Sequence, residues 1–164
     1  MDLQIEQIPT PASYALRQAV LRPHQPIAEM AWEEDGEPAA TTFGALDSDG
    51  AVVGVVTVYL KPAPFDPDEA GVRSGAGSKE TTWRLRGMAV RPDLQGHGIG
   101  SSLVAAVIDH VAERGGDLIW CNARHSAISF YEKAGFAGFG EEFVLPTIGP
   151  HIVMWRLIEP RPAL

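Results

Sequence analysis

Six consecutive residues, Gln95-Gly96-His97-Gly98-Ile99-Gly100, carry the strongest chemical signal in the chain. Glycine at alternate positions lets the backbone approach a ligand at three points with no side chain in the way. The stretch Thr81–Val90 before the loop reads as a strand. The stretch Ile99–Arg114 after it places Leu103, Val107, Ile108 and Val111 at helical spacing. The first amides of such a helix have no partner inside it, and its dipole presents a positive end there, so the junction suits a phosphate. A Walker loop would need a lysine that this segment lacks. A dinucleotide fingerprint would need glycine at the sixth position, where Ser101 or Leu103 stands instead.

A second pattern follows: Ala127-x-x-x-Tyr131-Glu132-Lys133-x-Gly135-Phe136. The first motif, read as Gln-x-x-Gly-x-Gly between a strand and a helix, resembles the acetyl-CoA pyrophosphate loop of the GNAT superfamily of N-acetyltransferases. The second resembles the motif that follows in that superfamily, with room for one helix and one strand between the two. The resemblance covers roughly residues 41–158. It implies acetyl-CoA as co-substrate and acetyl transfer to a primary amine, most simply that of a small molecule, by direct attack through a tetrahedral intermediate. It also implies cofactor contacts from Met88, Ala89, Val90, Gln95, Gly96, His97, Gly98, Ile99, Gly100 and Ser101, and no metal. Two departures stand out. Many members place asparagine where this chain has Arg124, so Asn122 takes its place as a candidate for the pantetheine arm. Many histone-type members also carry a glutamate base on the strand before the loop, and Thr81–Val90 holds none.

The chemistry has its own logic beside the resemblance. A thioester is already activated toward amines, so such an enzyme chiefly positions two reactants. Strand amides at Met88 and Val90 would hold the pantetheine as an added strand, and a neighbouring amide can stabilise the oxyanion. The departing thiolate benefits from an acid. Tyr131 suits this role, because a phenol, with a pKa of about 10, stays protonated at neutral pH. The attacking ammonium must in turn lose a proton. Candidate bases are Glu141, Glu142, His151, His125 and His97. Alternation turns only one of the adjacent glutamates toward any cleft, and His97 belongs to the phosphate loop. His151, directly after Gly149-Pro150, is the chosen base, with an imidazole bonded to backbone as the plainer reading. A non-catalytic acyl-CoA sensor of the same fold is the rival class, and Tyr131 favours the enzyme.

These residues require elements to position them. Leu3, Ile5 and Ile8 suggest a first strand. Thr10-Pro11 reads as an N-cap and first turn of a helix over Ala12–Leu21, with Tyr14, Ala15 and Ala19 on its buried side. Arg22–Pro38 reads as a helical turn plus loop. Thr41–Leu46 and Ala51–Leu60 form a hairpin through Asp47-Ser48-Asp49-Gly50, and the second strand is apolar enough to be covered on both faces. Lys61–Glu80 has no periodicity and reads as a mobile surface excursion. Alternation in the next strand sets Trp83, Leu85 and Ala89 against Arg84, Arg86, Met88 and Val90. The two arginines need carboxylates, or else Arg86 faces the active-site cleft. Asp117–Asn122 is a strand in which Cys121 acts as a small hydrophobe. Ser126–Ala134 is a helix, Phe136–Val144 and Ile152–Ile158 are closing strands, and Glu159–Leu164 is a loosely held tail. The expected fold is a single α/β (α+β) domain over residues 1–164. Its sheet is mixed and mostly antiparallel, flanked by helices and splayed at the CoA site.

Composition narrows the partners. A net charge of −8 disfavours nucleic acid and anionic membranes. One cysteine, no long apolar run and an acidic start fit a cytoplasmic setting. A homodimer is left open.

Overall fold

The computed structural model describes residues 2–73 and 75–161. Seven strands form one mixed sheet: β1 (Gln4–Ile8), β2 (Thr41–Leu46), β3 (Val52–Leu60), β4 (Thr82–Val90), β5 (Leu118–Arg124), β6 (Ala137–Leu145) and β7 (Gly149–Leu157). Their order is β1-β2-β3-β4-β5-β7-β6. Pairing is antiparallel for β1 with β2, β2 with β3, β5 with β7 and β6 with β7, and parallel for β4 with β5. That parallel pairing is confined to Thr82–Arg84 against Leu118–Trp120. Contacts gather into two units, Met1–Tyr59 with Leu85–Val107, and Leu60–Arg84 with Ile108–Leu164.

In the first unit the β2–β3 hairpin turns where composition placed it. Gly50 takes φ +80, and Asp47 Oδ1 accepts hydrogen bonds from the amides of Asp49 and Ala51. Val53, Val55, Val56 and Val58 of β3 are all sealed from solvent, as a strand covered on both faces should be. Helix α2 (Ile99–Glu113) packs on β3 at Gly54, where an added methyl would meet Ile99 at 2.9 Å and Leu103 at 3.1 Å.

The first helical segment departs from expectation. It is a 3₁₀ turn over Thr10–Ser13, one α-turn, α1 (Tyr14–Leu16), and a π-turn over Arg17–Leu21. Thr10 is not its cap: Pro9 precedes the first turn, and the Thr10 hydroxyl lies 3.0 Å from that of Thr42. Ala15 and Ala19 are exposed, whereas Ser13 and Arg17 are buried. Arg17 inverts the pattern because both of its Nη groups find acceptors, although its Nε is buried without a hydrogen-bond partner. Nη1 donates to Met30 O at 2.7 Å and Asp35 Oδ2 at 2.7 Å; Nη2 donates to Asp35 Oδ1 at 3.0 Å and Thr57 Oγ1 at 2.8 Å. A buried cation is tolerated only when paired and bonded in this way. The pair also orders the two 3₁₀ turns that follow, Ile27–Met30 and Glu33–Gly36.

In the second unit, helix α3 (Ile128–Lys133) follows a 3₁₀ turn over His125–Ala127 and ends at Gly135, φ +90. The 61–80 segment lacks regular structure, as expected, but it is tethered. Val72 is buried, the Phe65 ring packs tilted against Phe139 with centroids 4.9 Å apart, the Gly77 amide donates to Asp117 Oδ1, and Arg73 pairs with Glu159. Ser74 lies outside the described residues. The tail is likewise held as far as Arg161, whose amide donates to Ala112 O and whose guanidinium pairs with Asp109 and Glu113. Residues 162–164 lie outside the described residues. Strand β5 runs two residues further than expected. Strand β7 starts at Gly149, so His151 stands inside it.

Candidate active site

Strand β4 delivers the chain to the glycine loop. Its end is fixed by the Arg91 amide donating to Val53 O at 2.9 Å, and a 3₁₀ turn over Pro92–Leu94 follows. Gly96 and Gly98 take φ +83 and +82, a region that L-residues avoid. A methyl built on either meets nothing within 4 Å, so this backbone faces open space rather than the packed fold. Side chains brace the loop from within. Gln95 Nε2 donates to Val90 O at 3.1 Å, and His97 Nδ1 donates to Leu94 O at 3.1 Å and Gln95 O at 3.2 Å. Ser102 Oγ donates to Gly98 O at 3.1 Å. Bare amides at the head of a fifteen-residue helix fit a pyrophosphate. Met88, Ala89 and Val90 form the strand end beside it.

One feature of β4 escaped alternation. Gly87 has φ +71 inside the strand, and a methyl there would meet Trp32 at 3.0 Å and Arg17 Nε at 3.3 Å. A glycine within a strand pattern was the available signal for such a kink. Above it the Trp32 ring is sandwiched, with the Arg17 guanidinium 3.9 Å from its centroid and that of Arg86 at 4.0 Å. Arg86 also has a carboxylate partner, donating through Nη1 to Glu34 Oε2 at 3.2 Å. Arg84 lies 5.0 Å from the Trp120 ring.

The second unit carries the remaining candidates. Tyr131, on α3, is 5 % exposed and packs edge-on against Phe130 and Phe136. Burial, and secondarily the Cys121 thiol, push its pKa well above the ordinary phenol value, so it stays protonated at neutral pH. Burial also pushes the Cys121 thiol up, which suits a packing role. Asn122 lies on β5 opposite Val153. His151 is 4 % exposed, opposite Arg124 and Phe143, and its ring stacks on Phe143 at 5.9 Å. Its Nδ1 lies 2.8 Å from Gly149 O. A carbonyl only accepts, so this contact calls for the proton on Nδ1, and in the neutral ring Nε2 is then the acceptor.

A bulge interrupts the ladder at the two glutamates. Phe139 pairs with Val153 and Phe143 with His151, so three residues of β6 (140–142) face one of β7, Ile152. Gly140, φ +78, turns this bulge, and Glu142 pairs with Nδ1 of His125. Glu141 is exposed. Among the described residues no cluster of His, Cys, Asp and Glu could hold a metal, and no helix is long and apolar enough to cross a membrane.

A mixed sheet whose fourth strand feeds a glycine loop at a helix head makes a frame suited to the phosphates of a coenzyme. Residues 4–136 match the acetyltransferase (GNAT) family model, and the chain belongs to that family. It is 32% identical over 156 residues to YitI, an uncharacterised N-acetyltransferase of Bacillus subtilis, covering 95% of this chain and 97% of that one. Among solved structures it resembles the ribosomal-protein-S18-alanine N-acetyltransferase of Escherichia coli. That match has TM-score 0.71 and 21% identity, and covers 98% of this chain and 97% of that one. It also resembles an aminoglycoside 6'-N-acetyltransferase complexed with coenzyme A, with TM-score 0.69 and 20% identity over 97% and 99% of the two chains. The protein is thus an acetyl-CoA-dependent acetyltransferase.

Proposed function

We propose that the acetyl acceptor is the primary amine of a small molecule. The observation that carries the acyl-donor half of this reading is the pair of left-handed glycines, Gly96 and Gly98, bare at the head of α2. The amides from Gly96 to Ser101 take the pyrophosphate, with His97 and Gln95 holding the loop in shape. Backbone groups of Met88, Ala89 and Val90 align the pantetheine arm as an added strand, and the Asn122 amide bonds it. The bound thioester supplies an activated acyl group. Two side chains then handle protons. Tyr131, kept protonated by burial, donates to the departing sulfur. His151, with Nδ1 committed to Gly149 O, accepts the amine's proton at Nε2, directly or through a water. The small-molecule class agrees with the acceptor in the name of the aminoglycoside neighbour.

Steady-state kinetics on Tyr131→Phe and His151→Ala test these roles. Tyr131→Phe keeps acetyl-CoA affinity and loses about 10²–10⁴-fold in kcat. A loss under about threefold sinks the acid role. His151→Ala lowers kcat/KM and removes one ionisation from the acid limb of its pH profile. An unaltered acid limb rules His151 out as the base.

A further inference from the structure

The Trp32 sandwich holds two arginines in different circumstances. Arg17 is fully sealed and its two Nη groups donate to Met30, Asp35 and Thr57, while its Nε is buried without a hydrogen-bond partner. It anchors one face of the indole and, being sealed, is out of reach of any ligand. Arg86, on the other face, has a 22 % exposed side chain and makes one hydrogen bond among the described residues, the 3.2 Å contact to Glu34. A guanidinium carries five donors in a planar fork. Most of that fork is therefore unspent, at a partly exposed position, while the group itself is immobilised by stacking. Gly87 tightens the arrangement, because Trp32 closes to within 3.0 Å of where its methyl would stand. A fixed, unspent guanidinium fork is a carboxylate receptor, since little side-chain freedom remains to be lost when two parallel N–H···O bonds form.

The place of Arg86 in the chain says which carboxylate. It precedes Met88, the start of the strand end assigned above to the acyl donor, by two residues, across the kink at Gly87. An amine that attacks beside that strand end can carry an anionic group back along β4 to this fork. We propose that Arg86 anchors a carboxylate on the acceptor, so that the substrate is a small amine bearing a carboxylate. This rests on the acetyl-transfer reading given above.

The test uses β-alanine, 4-aminobutanoate and 6-aminohexanoate, each against the alkylamine of the same chain lacking the carboxylate. The wild-type enzyme should favour the carboxylate form of at least one chain length by about tenfold or more in KM, the scale of one bidentate pair. Arg86→Gln should bring that ratio below about threefold, Arg86→Lys should restore part of it, and Arg86→Glu should reverse it. Circular dichroism and acetyl-CoA affinity confirm that each variant is folded. A wild-type enzyme indifferent to the carboxylate, or a preference that survives Arg86→Gln, overturns the assignment. If no amine is acetylated, the acceptor reading fails by itself. Calorimetric titration of the same amino acids into the CoA-saturated protein then decides for Arg86, whose role falls if wild type and Arg86→Gln bind them alike.

Discussion

Gly98→Val separates ligand contact from backbone strain. Gly98 has φ +82 and open space around a built methyl; so does Gly50, φ +80, in the β2–β3 turn. Forcing an L-residue into the left-handed region costs about 1–2 kcal/mol at either place, more for a β-branched one. Neither substitution touches a packed neighbour, so a domain of ordinary stability survives both. Only Gly98 belongs to the phosphate loop. A valine there stands between the ligand and the loop backbone and removes about two charge-assisted N–H···O contacts at about 1.5–3 kcal/mol each. The sum, about 3–6 kcal/mol, corresponds to roughly 10²–10⁴-fold in affinity. Isothermal titration with acetyl-CoA should show that loss for Gly98→Val and none for Gly50→Val, while thermal melts show similar destabilisation in both. Unchanged acetyl-CoA affinity in a folded Gly98→Val protein would refute the loop assignment.

Two further expectations concern stability. His110, buried on α2 edge-on to Trp83, has its pKa pushed down to about 4 by burial first and the nearby Arg114 second, against a partial opposing pull from Glu113. The unfolded chain therefore binds the extra proton between about pH 6.5 and 4, so stability present above that window is lost as pH falls through it. At most about 3 kcal/mol is at stake at pH 4. Urea unfolding of His110→Phe beside wild type should show the variant's pH slope shallower in that window; parallel slopes contradict it. Asp35→Ala leaves the sealed Arg17 cation without its partner and should cost about 3–5 kcal/mol. Glu34→Ala, at the 22 % and 23 % exposed Arg86–Glu34 pair, should cost under about 1 kcal/mol. Equal losses in the two variants would contradict the assigned burial.

The parts of the fold that were legible in the sequence are those that local rules decide. Strand β2 appears with its expected bounds, and α2 starts at the expected residue, because alternation, turn chemistry and helical spacing act within a few residues. The glycine loop was legible for the same reason. Arg17 was not: an arginine on an apolar helix face looks exposed until Asp35 and Thr57 are known to meet it. His110 is a similar case, a polar residue buried through contact with Trp83. The bulge at 140–142 was not legible, since the point where two extra residues enter β6 depends on its pairing with β7. Where His151 directs its Nδ1 depends on β7 beginning at Gly149, two residues before it.

The most direct test of the central claim is thiol release from acetyl-CoA, followed together with mass spectrometry of the amine, across a panel of small primary amines. Release that requires an amine, matches acetylated product one to one and disappears in Gly98→Val is the predicted result. Acetyl-CoA that binds the loop but is cleaved at the same rate with or without any amine would contradict it.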